Sequence, residues 1–140
     1  MPTVRDRVNK LIPSLHTSIY RATKGRVGGK FGAANICLLT TTGRKSGQPR
    51  TTPLNYYPDG ERIVLIASNG GQDHHPAWYL NILSNPEVRI ERGGETVTRT
   101  ARVATPEEKA ELWPRITAWY KGYAKYQAKT SRDIPLVIVE

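Results

Sequence analysis

Thr42-Gly43-Arg44-Lys45-Ser46-Gly47-Gln48-Pro49-Arg50-Thr51-Thr52-Pro53-Leu54 sets three cations around a two-glycine turn between β-prone runs. Gly43 and Gly47 let the backbone reverse tightly and present N–H groups. Arg44, Lys45 and Arg50 add charge and forked donors of the kind that phosphate and carboxylate oxygens need. The stretch reads either as a polar hairpin with solvated basic side chains or as a loop built to hold an anion.

Working outward, Ile36 to Thr42 is a β-branched, leucine-rich run that predicts a strand, and Arg50 to Tyr57 predicts its hairpin partner. Pro58-Asp59-Gly60 predicts a turn and Arg62 to Ser68 a third strand. After Asn69-Gly70-Gly71, Pro76 opens a short helix to about Leu83 that Asn85-Pro86 stops. Val88 to Glu91 and Thr96 to Val103 form a hairpin across Gly93-Gly94. Thr105-Pro106-Glu107-Glu108 is a capping box with proline at the first helical position, and its helix is expected to reach Lys129 with a break near Pro114. Ile134 to Val139 is a final apolar strand. About six short strands with three helices and no alternating βαβ rhythm predict an α+β fold, an antiparallel barrel or sheet with helices around it. Gly-x-Gly-x-x-Gly and Walker-type phosphate loops are absent from the sequence.

The chain of 140 residues is long enough for one core, divided here into a basic N-terminal segment, 1–35, and a barrel domain, 36–140. Val4, Val8, Leu11, Ile12, Leu15 and Ile19 recur at helical spacing among Arg5, Arg7, Lys10 and Arg21, an amphipathic pattern interrupted at Pro13. That helix either packs on its own domain or lies on an anionic membrane surface. A Gly-rich connection, 22–35, follows. The net charge is +9, and residues 1–30 hold seven cations against Asp6 alone, so an anionic partner is expected. Cys37 is the single cysteine, which precludes an intrachain disulfide and disfavours a structural zinc site. With no apolar run near the roughly 18 residues of a membrane span and no signal-peptide core, the expected location is the cytoplasm.

Three groups of residues could carry chemistry. Ser68, before Asn69-Gly70-Gly71, is either a turn residue or a hydroxyl facing a ligand, and it lacks a Gly-x-Ser-x-Gly elbow. His74 and His75 are adjacent and have no metal-ligand spacing, so they read as loop or cap residues. Tyr120, Tyr123 and Tyr126 recur every three residues beside Trp119, with Lys121, Lys125 and Lys129 on the same helix. The stripe packs into a core, or its phenols line a cleft and donate to a substrate oxygen.

Taken in order from about residue 36, Thr42 to Gly47 with Arg50 and Pro53-Leu54, Ala67 to Gly71, Pro76-Ala77-Trp78-Tyr79-Leu80-Asn81, Asn85-Pro86, and the tyrosine stripe closing on Ile134-Pro135 resemble the deazaflavin-dependent nitroreductase family. The resemblance implies a split β-barrel of the flavin-binding oxidoreductase type, and reduced 8-hydroxy-5-deazaflavin, coenzyme F-420, as hydride donor. That coenzyme carries a phosphate and an oligoglutamate tail, which suits the basic turn. Position by position, it implies that Arg44, Lys45, Ser46 and Arg50 hold the phosphate and tail, with Thr51, Thr52, Pro53, Leu54 and Asn55 along the ring and linker. Ile66, Ala67, Ser68 and Asn69 would follow the deazaflavin, supported by Ala77, Trp78, Tyr79 and Asn81. Ser68, Tyr120, Tyr123 and Tyr126 would serve the acceptor, with Tyr123 also touching the coenzyme. Some relatives have lysine where this chain has Asn69. The implied acceptor is electron-poor, such as a quinone, with nitroaromatics as adventitious acceptors, in a monomer or homodimer.

Three competing readings remain. The barrel could bind flavin mononucleotide, it could carry the deazaflavin without turnover, or the +9 charge with seven tyrosines and three tryptophans could serve nucleic acid. Against the last, the aromatics cluster on one helix and acidic residues are scattered through 87–111.

Overall fold

A computed structural model describes residues 30–31 and 34–140. The expected N-terminal helix and most of the connection that follows it lie outside the described residues. The strands are β1 (Lys30–Phe31), β2 (Ala34–Thr42), β3 (Pro49–Asp59), β4 (Arg62–Ile66), β5 (Glu87–Arg92), β6 (Glu95–Val103) and β7 (Leu136–Val139). The helices are α1 (Ala77–Ser84), α2 (Pro106–Trp119) and α3 (Gly122–Lys129), with a 3-10 turn over Asn69–Gly71. All pairings are antiparallel, in the order β1-β2-β3-β4-β7-β6-β5, and β5 pairs back onto β2. The sheet therefore closes into a six-stranded barrel, to which β1 is appended.

Two strands explain the unbroken apolar runs. Ile63, Leu65, Val137 and Val139 point into the barrel with Cys37, Leu39, Val88 and Ile90. Their neighbours Val64, Ile66, Leu136 and Ile138 point outward, where Leu112 and Ile116 of α2 and Tyr123 of α3 cover them. β4 and β7 are thus buried on both faces, which removes the polar alternation of a half-exposed strand. Trp78, Tyr79 and Ile82 of α1 join the inner core. Burial in that core pushes the Cys37 thiol up to about 12, so it behaves as a small apolar residue.

From residue 36 onward the expected elements form, with four local differences, and before it the described end of the expected connection is strand, Lys30 and Phe31 of β1 pairing with Asn35 and Ala34 of β2. Pro58 and Asp59 belong to β3, paired with Ile63 and Arg62, so the reversal falls on Gly60-Glu61. β2 pairs no further than Asn55, and beyond it β3 is bonded on the β4 side only, an edge setting in which proline is tolerated. β4 ends at Ile66 because the next pair in register, Ala67 opposite Pro135, closes with one bond only: Ala67 N–H donates to Pro135 O at 3.0 Å, and proline has no N–H to return. β7 starts at Leu136 because side chains take the Ile134 backbone, with Gln127 Oε1 accepting from its N–H and Lys109 Nζ donating to its carbonyl. The last helical region passes through Pro114 and breaks at Tyr120, whose backbone is extended (φ −140°, ψ 102°). A Cβ on Gly122 would lie 2.6 Å from the Tyr120 ring, so the fold there depends on glycine. Both bonds of the capping box form, Thr105 Oγ1 accepting from Glu108 N–H at 3.2 Å and Glu108 Oε1 from Thr105 N–H at 2.9 Å.

Candidate functional site

A cleft of about 1670 Å³ opens between the β2–β3 turn, the β4–α1 connection and α3. That is larger than the roughly 300–1,000 Å³ of a drug-sized site, enough for a ring, a long tail and a second molecule. Its lining carries Arg44, Lys45, Arg50 and Arg132 against Asp73 as the one carboxylate among the described residues.

The basic turn forms the mouth. Gly43 N–H donates to Gln48 O and Gly47 N–H to Gly43 O, each at 2.8 Å, leaving Arg44, Lys45 and Ser46 exposed at the tip. Ser46 Oγ accepts from Arg50 Nη2 and from Gln48 N–H, both at 3.2 Å, which fastens the second arginine to the turn. A side chain at Gly43 would meet Ser46 Oγ at 2.7 Å and Arg50 Nε at 3.4 Å, so the glycine makes room for this cradle. Arg44 is held from the other side by buried Asn81 on α1. Asn81 Oδ1 accepts from Arg44 N–H at 3.1 Å and from Arg44 Nη1 at 3.4 Å, while its Nδ2 donates to Thr41 Oγ1 at 3.0 Å.

The opposite wall is aromatic. Tyr120, Tyr123 and Tyr126 form a chain of rings with centroids 4.9 and 6.0 Å apart. Tyr123 is both core and cleft: its ring packs with Ile66 and Ile116, and its hydroxyl accepts from Asn55 Nδ2 at 2.8 Å. Burial pushes its phenol up to about 12; the Asn55 donor pulls the other way, and Tyr120 and Tyr126 push in the same direction as burial. At neutral pH Tyr123 therefore keeps its proton.

Between the walls runs the segment after β4. Ser68 is buried within the lining, and Gly71 (φ +82°) approaches α3 so closely that a Cβ would lie 2.8 Å from Tyr126 O. Arg132, missed by sequence reasoning, organises this segment: its guanidinium donates to the carbonyls of Ala67, Ser68 and Gln72 and lies 3.1 Å from His75 Nδ1. Nothing in its local pattern marks it, since its partners lie 57 to 65 residues away. Burial, then the Arg132 charge, lower the pKa of His75, so it is the neutral ring that faces the guanidinium.

Of the expected site residues, the cleft brings together Arg44, Lys45, Ser46, Arg50, Thr51, Thr52, Pro53, Leu54, Asn55, Ile66, Ser68, Asn69, Ala77, Trp78, Asn81 and the three tyrosines. Ala67 and Tyr79 lie behind that wall in the barrel core. Strand alternation turns Ala67 inward with Leu65, and Tyr79, next to Trp78, packs in the barrel core with its ring tilted at 45° against His75, centroids 4.7 Å apart. Asn69 lines the cleft with its side-chain amide donating to His74 O at 3.1 Å.

Residues 13–140 match the family described as F420H(2)-dependent quinone reductase. The chain belongs to this family. An F420H(2)-dependent quinone reductase of Mycobacterium tuberculosis is 42% identical over 129 residues, 89% of this chain and 87% of the relative. The solved structure of an F420-H2 dependent reductase, FDR-A, is 42% identical, covers 75% of this chain and 93% of its own, and superposes with a TM-score of 0.69. A second structure, described as a domain-swapped dimer, is 36% identical, covers 94% and 98%, and has a TM-score of 0.71. Membership in this quinone reductase family agrees with the oxidoreductase class and the coenzyme that the resemblance implied, and with the anion that the basic turn suggests. The family gives reduced coenzyme F-420 as the cofactor, and the enzyme reading replaces those of nucleic-acid module and passive carrier. The residues present fit that cofactor: the exposed cations Arg44, Lys45 and Arg50 surround the turn, as an anionic tail needs, and an apolar strand end with Trp78 offers a face for a flat ring. Among the described residues no helix is long and apolar enough to cross a membrane, and no cluster of His, Cys, Asp and Glu could hold a metal ion.

Proposed function

We propose that the cleft holds reduced coenzyme F-420 with its phosphate and tail on Arg44, Lys45, Ser46 and Arg50, its linker along Thr51 to Asn55, and its ring between Ile66–Asn69 and Trp78. A quinone-like acceptor stacks in the remaining space against Ser68, Tyr120, Tyr123 and Tyr126. When bound, the coenzyme supplies two electrons as a hydride. Reducing a quinone to its hydroquinone takes that hydride and one proton, and negative charge develops on the acceptor oxygen as the hydride arrives. A neutral phenol in a buried wall is suited to that oxygen, because it donates a hydrogen bond where low polarity strengthens the interaction. Ser68 adds a second hydroxyl. Nitroaromatics fit the same chemistry as adventitious acceptors.

The observation that carries this reading is one cleft with a cationic mouth and a phenolic wall facing each other. Following the oxidation of reduced coenzyme F-420 with menadione as acceptor tests it, alongside a titration with flavin mononucleotide. Turnover with the deazaflavin and no saturable flavin mononucleotide binding is the expected result. Saturable flavin mononucleotide binding with no deazaflavin oxidation would overturn it.

The basic, apolar-periodic residues 1–20 support a cytoplasmic enzyme that rests on an anionic membrane face, where isoprenoid quinones reside. Deleting them should abolish sedimentation with anionic liposomes, and unchanged sedimentation would remove the membrane from the proposal. With a relative described as a domain-swapped dimer, the assembly in this reading is a homodimer, which light scattering distinguishes from a monomer.

A further inference from the structure

The hydrogen-bonding direction around Asn55 is fixed by elementary bookkeeping of donors. Asn35 N–H, at the start of the β2–β3 ladder, can only donate, and the Asn55 amide atom facing it at 3.0 Å must therefore be the oxygen. The amide nitrogen is then the atom 2.8 Å from Tyr123 Oη, and an amide nitrogen can only donate. Tyr123 Oη is thus an acceptor in this contact, and its own proton is used by no hydrogen bond among the described residues. Both Asn55 and Tyr123 line the cleft.

From this chain we infer that Asn55 is a positioning residue, whose amide, clamped by Asn35 N–H, occupies a lone pair of the Tyr123 hydroxyl and leaves the phenolic proton to be donated into the cleft. The inference rests on the proposed acceptor side of the site and assigns a cause to its polarity. A phenol with no such partner could spend its proton on a neighbouring protein oxygen and face the acceptor with lone pairs, which would repel developing negative charge. With the amide donating to it, the hydroxyl is available as a donor before the acceptor arrives, and no reorganisation is needed. The sequence separation of 68 residues and the exchange of partners between β3 and α3 also make this bond a tie between the two walls.

Two near-isosteric substitutions separate direction from packing. In Asn55→Asp, one carboxylate oxygen keeps the Asn35 N–H and the other draws the Tyr123 proton away from the cleft. In Asn55→Leu, the shape is kept and the donor is lost. The first readout needs neither coenzyme nor turnover: a fluorotyrosine placed at 123 is titrated by fluorine NMR in the apo protein, with Tyr120 and Tyr126 as the titratable neighbours. A donor to the phenol oxygen favours the ionised form, so losing it in Asn55→Leu should raise the pKa at 123, by about one unit, and Asn55→Asp should raise it further. A lower pKa in Asn55→Leu would mean that the phenol donates to the amide, and the inference falls.

The second readout is turnover with menadione. Asn55→Asp should lower kcat about as far as Tyr123→Phe does, with the KM for menadione changed less than about threefold, and the double variant should be no slower than either single one. Losses that multiply in the double variant would overturn the positioning role. If instead the pKa shifts come out as expected and Tyr123→Phe turns over normally, the direction of the bond is supported and it is the acceptor role of Tyr123 that fails.

Discussion

Replacing Asn81 with leucine separates what this residue does for the fold from what it does for the site. Asn81 is 4% exposed, and its amide bridges Thr41, 2% exposed, and the basic turn. Leucine removes the bond to Thr41 Oγ1 at 3.0 Å, the bond to Arg44 N–H at 3.1 Å and the long contact with Arg44 Nη1 at 3.4 Å. Two well-formed neutral bonds contribute about 1 kcal/mol each, the third adds little, and the Thr41 hydroxyl left without its donor brings the cost to about 2–3 kcal/mol. For a chain of this length that corresponds to a fall in Tm of about 6–12 °C. Arg44, no longer held, should also bind the coenzyme tail less well, raising its Kd roughly tenfold, about 1.4 kcal/mol. Scanning calorimetry gives the first number and titration calorimetry with coenzyme F-420 the second. Arg44→Ala is the control: the arginine is exposed, so its loss should raise Kd by a similar factor with a Tm change below about 2 °C. If Asn81→Leu lowers Tm as expected but leaves Kd within twofold while Arg44→Ala weakens binding, Asn81 does not position Arg44, and the argument connecting α1 to the anion site is wrong.

Three other expectations follow from the same geometry. Lys45→Ala and Arg50→Ala should each raise the coenzyme Kd about tenfold, more steeply at low ionic strength, with the KM for menadione changed less than about threefold; equal effects on both would place the tail elsewhere. Tyr123→Phe should lower kcat on the order of a hundredfold, about 3 kcal/mol, with the coenzyme Kd nearly unchanged, and an unaltered kcat would return the ring to packing alone. Glu108 is held down to about 2 by its paired bonds with Arg102 and by the Thr105 backbone N–H. A depressed carboxyl stabilises the fold above its unfolded pKa and loses that contribution as pH falls through the folded value. The Tm gap between wild type and Glu108→Gln should therefore be widest near neutrality, shrink below about pH 4.5 and close near pH 2; a gap that is constant with pH would refute the linkage.

The barrel was legible in the sequence wherever a local rule was sufficient. The β2–β3 hairpin follows from β-branched runs around a Gly-flanked turn, the β5–β6 hairpin from Gly93-Gly94, and the start of α2 from Thr105 and Glu108, whose reciprocal bonds both form. The tyrosine stripe left core and cleft as alternatives because helical spacing cannot show what a face meets; Tyr123 turns out to do both. Pro114 and Pro58 misled for opposite reasons. Thr117 Oγ1 donates to Trp113 O and Pro114 O around the proline inside α2, while Pro58 stands where β3 has no β2 partner left. Arg132 and the Asn55–Tyr123 bond were not legible at all, since they join residues that only barrel closure brings together.

Those same long-range bonds explain how a single 140-residue chain maintains so large a cleft. The basic turn belongs to the β2–β3 hairpin and the tyrosines to a helix more than sixty residues later, so neither wall positions the other through the chain. Four contacts do so through space: Asn55 to Tyr123, Asp73 to Thr130 at 2.8 Å, Gly71 against Tyr126, and Arg132 to the carbonyls of Ala67 and Ser68. All four lie around the segment that follows the last β4–β7 pair. The Ala67, Ser68 and Gln72 carbonyls beyond the strand are taken by Arg132, and this segment lies between the basic turn and the phenols. The separation of the basic turn from the phenols is therefore held by β3 and β4 of the barrel, whose interior is closely packed and resists deformation.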